Sequence, residues 1–361
     1  MKEEAKNKII VHKRIINLDI ARTLAIMCVV LCHSVELIYN MNLETWLILS
    51  QKARIYKTIM FTIGRLGVPI FLLLSGYLLL SKTYENDEDV FKFYKKNLLS
   101  LIITIEAWII IYNVFLSFYN KISFNIIDLV KEMTFFKAVP LMNMWYMPMI
   151  IGIYIAIPYV SNAIKCFSFK SLKVPIITIF IIIFIIPTIN IIVNKHIWNI
   201  IDTSFLGGIY GIYIVIGYFI QRDKLKDITK KRLLLITIIS FLCSCLIQIY
   251  AFNNYIEYNI WYDSPFILIC STCLFELIKR LNNTKIPDKI INIVTYISKI
   301  SLGIFFVHVV VELILKDYIK IIPISNHFKV ELLFVSSLIV CVIIVWLFSK
   351  IKMIRKVLFR G

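Results

Sequence analysis

Along the chain, apolar runs alternate with short polar segments, and a run of roughly 20 apolar residues is enough to cross a bilayer. Ten runs meet that length, at 17–40, 56–80, 97–119, 143–163, 172–193, 203–221, 231–252, 260–280, 293–315 and 329–349. The pattern predicts an all-α fold, a polytopic membrane helical bundle of about ten transmembrane helices. Between the third and fourth runs, "NKISFNIIDLVKEMTFFKAVPLM" (120–142) spaces its apolar residues as a half-buried interfacial helix would, fit to line or cover a site facing outward. A loop resting on the membrane surface is the other reading of that stretch.

Composition agrees: 361 residues with 60% hydrophobic and 17% charged content and a mean hydropathy of +0.82 fall outside the soluble globular range. Gly and Pro number only 10 and 9, and neither a linker nor an internal repeat interrupts the chain. That predicts a single membrane domain over 1–361 without an appended soluble domain.

Lys and Arg outnumber Asp and Glu by 40 to 22, but the excess sits in short loops and so predicts no nucleic-acid partner. Of the 40 basic residues, 27 fall in the two tails and the loops after the second, fourth, sixth and eighth runs, against 10 in the opposite loops. The positive-inside rule then puts both termini in the cytoplasm of a multi-pass cell-membrane protein. The charged N-terminus has no small-residue cleavage site, so the first run reads as a retained span. Seven of the eight cysteines lie in apolar runs as small hydrophobes. Cys270 and Cys273 have metal or redox spacing but no His or second Cys pair nearby, and no metal is expected.

Ionisable residues inside spans are costly, so their positions select candidate sites. The first span holds four: Asp19, Arg22, His33 and Glu36. At 100° per residue they fall within a stripe about 100° wide, and His33 lies roughly 16 Å beyond Arg22. A guanidinium near the cytoplasmic face suits phosphate, and a buried imidazole suits proton transfer. The ninth span repeats the theme, with Lys299 and Ser301 at its cytoplasmic end and His308 and Glu312 deeper on one face. In the second span Arg65 lies in the outer half, Pro69 removes a backbone donor, and Gly76 permits close approach of a helix or a cofactor. Glu276 is placed to reach Lys279 or Arg280 at the interface, and Asp263 to sit at the outer mouth beside Trp261 and Tyr262. Glu106 has no assigned role.

These residues resemble the membrane acyltransferase 3 family, multi-pass enzymes that O-acetylate surface glycans such as enterobacterial common antigen. "LDIARTLAIMCVVLCHS" matches the family's Leu-Asp, Arg and His signature, with ten residues between Arg22 and His33. "RLGVPIFLLLSGYLL" resembles its Arg-x-x-Val-Pro-x-Phe-x-x-x-Ser-Gly-Tyr element, which brings in Ser75 and Gly76. "MWYMPMIIGIYIAIPYV" and "SKISLGIFFVHVVV" are similar to its Leu-Trp-Phe and Ser-Leu-Gly-Ile-Tyr-x-x-His segments. Two departures stand out: Met144-Trp145-Tyr146 replaces Leu-Trp-Phe, and Phe305 stands where Tyr is usual.

The resemblance implies transfer of an acyl group, usually acetyl from cytoplasmic acetyl-CoA, to a hydroxyl of a cell-surface glycan or lipid-linked sugar. It assigns His33 and Arg22 to catalysis; Glu36, one turn further along, is added as the group that orients His33. Arg22, Asp19, Arg65, Ser75, Gly76, Lys299, Ser301 and His308 are the expected acyl-CoA-binding residues. His33 serves equally as general base in a direct transfer or as the carrier in an acyl-histidine relay. The competing classes are a proton-coupled transporter or exporter of a polysaccharide precursor or small polar solute, and an assembly subunit of the cell envelope.

Overall fold

The computed structural model describes residues 14–121, 123–194 and 208–359. It is 80% helical and, among the described residues, contains no strand. Each of the ten apolar runs contains helix: α1 (Ile16–Tyr39), the consecutive pair α2 (Gln51–Arg65) and α3 (Gly67–Leu79), α4 (Asp87–Asn120), α6 (Tyr146–Cys166), α7 (Phe169–Val193), α8 (Gly208–Gln221), α9 (Lys230–Asn253), α10 (Pro265–Lys279), α11 (Asp288–Ile321) and α12 (Asn326–Ser349). Among the described residues, eight of these units are long and apolar enough to span a membrane. The other two are shorter: α10 has 15 residues, and α8 has 14, its run beginning at residues 203–207 outside the described part.

The stretch 120–142 does form the short helix α5 (Ile126–Met133), capped by the Asn125 side chain. Ile126, Ile127 and Val130 are exposed, while Leu129 and Glu132 are buried. Asn113 of α4 fixes the helix by donating to Glu132 at 2.7 Å.

α1 is the inner helix, packed against α11, α2, α3 and α12. Its four ionisable groups therefore face other helices, with Arg22 the most exposed of them. At the basic-loop end the Asn17 amide donates to the Lys279 carbonyl at 2.7 Å, and Thr23 donates to the Val294 carbonyl at 2.9 Å. Glu276 is buried and accepts from Arg280 at 2.5 Å, as its position led one to expect. The Lys279 ammonium beside Asp223 holds that carboxyl below its ordinary range.

The second span is broken after Arg65, where Pro69 has no N–H to give the Arg65 carbonyl. On either side of the break, Gly64 and Gly67 press against α1. A Cβ on Gly64 would lie 2.6 Å from Cys32 Cα, and one on Gly67 2.6 Å from the Ala25 carbonyl oxygen. Only glycine allows this approach, and it sets Arg65 opposite Glu36. Lys57, near the start of the second run, lies fully buried on α2 with its ammonium facing the paired rings of Trp46 and Phe252 at 5.8 and 5.7 Å. Helix α2 starts earlier than the apolar run does and carries Lys57 inward.

Candidate active site

The stripe on α1 divides into two polar layers. Nearer the basic-loop end, Asp19 takes a two-pronged bond from Arg14, at 2.5 and 2.8 Å, and another from the Ser298 hydroxyl at 2.7 Å. Arg22 donates to the same Ser298 hydroxyl at 3.3 Å and lies 4.0 Å from Asp19. Asp19 is thus consumed in holding α1 to α11 and steering Arg22. The guanidinium keeps further N–H groups that donate to no described residue. Its side chain is 31% exposed and lines a cavity of about 310 Å³ together with Ser75, Leu101, Tyr154, Ser301 and other apolar residues.

About 16 Å further along α1 is the second layer. His33 Nδ1 is 2.7 Å from Glu36 Oε2, and Arg65 Nη2 donates to Glu36 Oε1 at 3.0 Å. Arg65 also donates to the Tyr262 hydroxyl at 3.3 Å, its guanidinium between the rings of Phe61 and Trp261 at 4.4 and 4.3 Å. A carboxylate facing Nδ1 favours the proton there and leaves the lone pair on Nε2. Nε2 makes no hydrogen bond with any described residue, and His33 lines a small pocket of about 20 Å³ with Arg65, Asn143, Trp145, Tyr146, Tyr262 and Phe305. His308 stands behind, its ring centroid 5.3 Å from that of His33, with Nδ1 3.1 Å from the Ile304 carbonyl oxygen. Deeper still, Ser34 donates to the buried Glu312 at 2.5 Å.

Tyr146 and Phe305 belong to the walls of both the larger cavity and the His33 pocket. Their rings touch, with centroids 5.6 Å apart, and form the neck between the two spaces. The position of Phe305 is fixed through its backbone, since the Asn143 amide donates to its carbonyl at 3.0 Å and Tyr112 donates to that of Phe306 at 2.6 Å. On the other side, Trp145 lines the His33 pocket and also a third cavity of about 350 Å³, bounded by Phe135, Lys137, Val139 and Met142. That cavity lies at the end away from the basic loops.

The expected site residues therefore separate. Arg22, Ser75 and Ser301 face the larger cavity; His33, Glu36, Arg65 and His308 form the inner layer. Arg65 and His308, expected among the acyl-CoA contacts, belong instead with His33. Gly76 packs on α8, where a Cβ would come within 1.9 Å of the Ile214 carbonyl oxygen, so no cofactor lies against it. Lys299 is exposed, away from both spaces. Sequence reasoning missed Arg14, Tyr146, Tyr154 and Ser298. Among the described residues no group of three His, Cys, Asp or Glu side chains is placed to hold a metal.

The fold and these layers define a polytopic membrane protein whose inner helix sets a histidine and a carboxylate against an arginine of α2, with cavities on two sides. The chain belongs to the acyltransferase 3 family: the model of that acyltransferase domain matches residues 15–348. It is a membrane acyltransferase. No curated protein and no solved structure matches it.

Proposed function

We propose that this acyltransferase moves an acetyl group from acetyl-CoA, entering at the basic-loop end from the cytoplasm, to a hydroxyl of a cell-surface glycan or lipid-linked saccharide. The observation that carries the reading is the continuity of walls from Arg22 through the Tyr146–Phe305 neck to His33. Arg22 offers unpaired, charge-assisted donors to a phosphate group at the mouth. The 310 Å³ cavity behind it, largely apolar with the Ser75 and Ser301 hydroxyls, suits the pantetheine arm. The pocket at His33, about 20 Å³, has room for little more than one water-sized group, which favours a two-carbon acyl chain over a long one. The acceptor approaches from the cavity beyond Trp145, whose indole offers a sugar ring an apolar face. The enzyme then acts in the cell membrane on the envelope polysaccharide.

His33 Nε2 takes the proton from the acceptor hydroxyl as the oxygen attacks the thioester carbon, and Glu36 stabilises the imidazolium. The carbon–sulfur bond breaks, and the imidazolium returns the proton to the CoA thiolate. No metal takes part in this reading.

The test is transfer of labelled acetyl from acetyl-CoA to an extract of host surface glycans by membranes containing the protein. His33→Ala is expected to lower kcat by about 10²–10⁴-fold. Arg22→Ala is expected to raise KM for acetyl-CoA about tenfold with a smaller change in kcat, as loss of a ground-state phosphate contact would. Label on an alkali-labile glycan ester with wild type alone supports the reading. Absence of transfer and of CoA binding by wild type contradicts it and turns attention to transport.

A further inference from the structure

Two aromatic residues separate the donor cavity from His33, and only one of them carries a hydroxyl. Tyr146 is half-buried at the start of α6, its ring against Phe305, and it borders both spaces at once. Its hydroxyl donates no hydrogen bond among the described residues, and Tyr146 shares the donor-cavity wall with Tyr154 and the His33 pocket wall with Tyr262. Arg65 keeps an Nε–H without a partner among the described residues, but of the polar side chains lining the His33 pocket Tyr146 is the one that also borders the donor cavity. Arg65 is shared between Glu36 and Tyr262, the Asn143 amide is given to the Phe305 carbonyl, and Glu36 faces His33 and Arg65. A phenol without an acceptor at the boundary of the two spaces is placed to donate to a carbonyl that stops there.

We infer that the Tyr146 hydroxyl is the hydrogen-bond donor to the thioester carbonyl oxygen, and so a further catalytic residue of the transfer. The inference rests on the acetyl-transfer reading above. As the acceptor oxygen bonds to the carbonyl carbon, the carbonyl π electrons move onto oxygen, and the Tyr146 O–H strengthens its bond to that oxyanion without giving up its proton. His33 holds the proton taken from the acceptor hydroxyl. When the oxyanion reforms the carbonyl, the carbon–sulfur bond breaks and the imidazolium protonates the departing thiolate, so ester and free CoA are the products. An acyl-histidine route needs the same donor, since each of its two steps passes through an oxyanion on the same carbon. The hydroxyl is needed at the neck, but the ring that carries it is interchangeable in principle. Phe305 borders the same two spaces and touches the same partner.

The experiment compares wild type, Tyr146→Phe, Phe305→Tyr and the Tyr146→Phe/Phe305→Tyr pair, purified in detergent, by steady-state transfer and by acetyl-CoA binding calorimetry. Tyr146→Phe is expected to lower kcat by about 10²-fold, the effect of losing one oxyanion donor, with binding of acetyl-CoA within about twofold of wild type. The double variant, which returns one hydroxyl to the neck from the other helix, is expected to recover at least about tenfold of that loss. Tyr146→Phe turning over within threefold of wild type overturns the inference. So does a double variant no faster than Tyr146→Phe when both bind acetyl-CoA normally. If Tyr146→Phe fails to fold, Phe305→Tyr/Tyr146→Leu replaces it, and activity in that variant near wild type supports the inference while activity lost with binding retained overturns it. Wild type without turnover removes the acetyl-transfer reading itself, and the inference with it.

Discussion

At the scale of single residues, the inner layer is a chain of paired groups in which each member satisfies the next. Arg65 is buried and its charge is answered by Glu36 at 3.0 Å, which in turn faces His33 at 2.7 Å. Removing the cation leaves a carboxylate in the interior, a loss typically of about 3–5 kcal/mol. Arg65→Met is therefore expected to lower the thermal unfolding midpoint in detergent sharply, and Arg65→Met/Glu36→Gln to recover part of it; equal stability of wild type and Arg65→Met would contradict the pairing. The His33–Glu36 pair was legible in sequence because residues three apart on a helix are neighbours. The Arg65 partner was not, because the break at Gly67 and the choice of facing helix are tertiary. Tyr146 did leave a trace. The two departures from the family pattern, Tyr146 for Phe and Phe305 for Tyr, meet in one ring contact, so the hydroxyl usual on one side of the neck stands on the other. Nothing in the linear sequence says that positions 146 and 305 touch.

Helices approach one another here through glycine and proline more than through hydropathy. The Pro69 break was readable as a missing N–H, and the structure has the second span split there. The partner of Gly76 was not readable: a pocketed cofactor and a facing helix both ask for a missing side chain, and the facing carbonyl of Ile214 decides for the helix. The same physics separates two glycines by experiment. Gly64→Ala drives a methyl into the α1 backbone at Cys32 and is expected to cost about 1–3 kcal/mol and to lower turnover by displacing Arg65. Gly152→Ala meets nothing within 4 Å and is expected to leave both unchanged. Unfolding midpoints of the two variants check this, and a Gly64→Ala protein as stable and active as Gly152→Ala would refute the close-approach argument.

Across the whole molecule, the span with the most ionisable groups on one face lies among the most buried, and the most apolar span among the least. α7, with the highest mean hydropathy of 2.9, is little buried, whereas α1, at 1.7, is mostly buried. A span carrying Asp19, Arg22, His33 and Glu36 gains most from being surrounded by protein. Run length alone led to ten spans, of which eight are helices long and apolar enough to cross a membrane among the described residues, and the direction of the spans stays an expectation from the basic loops. The cavities were not legible in sequence, because a void is what several helices leave between them. Taken together, the three spaces form an axis from the basic-loop end, past the Tyr146–Phe305 neck and His33, to Trp145 and the opposite face. On the proposed function, donor and acceptor reach His33 from opposite sides. The direct measurement uses sealed vesicles of known orientation, with labelled acetyl-CoA supplied only to the face bearing the basic loops and glycan acceptor only to the other. Label on the acceptor across the membrane, lost in His33→Ala, is the predicted result. Label that appears only when both substrates share one face would contradict the axis.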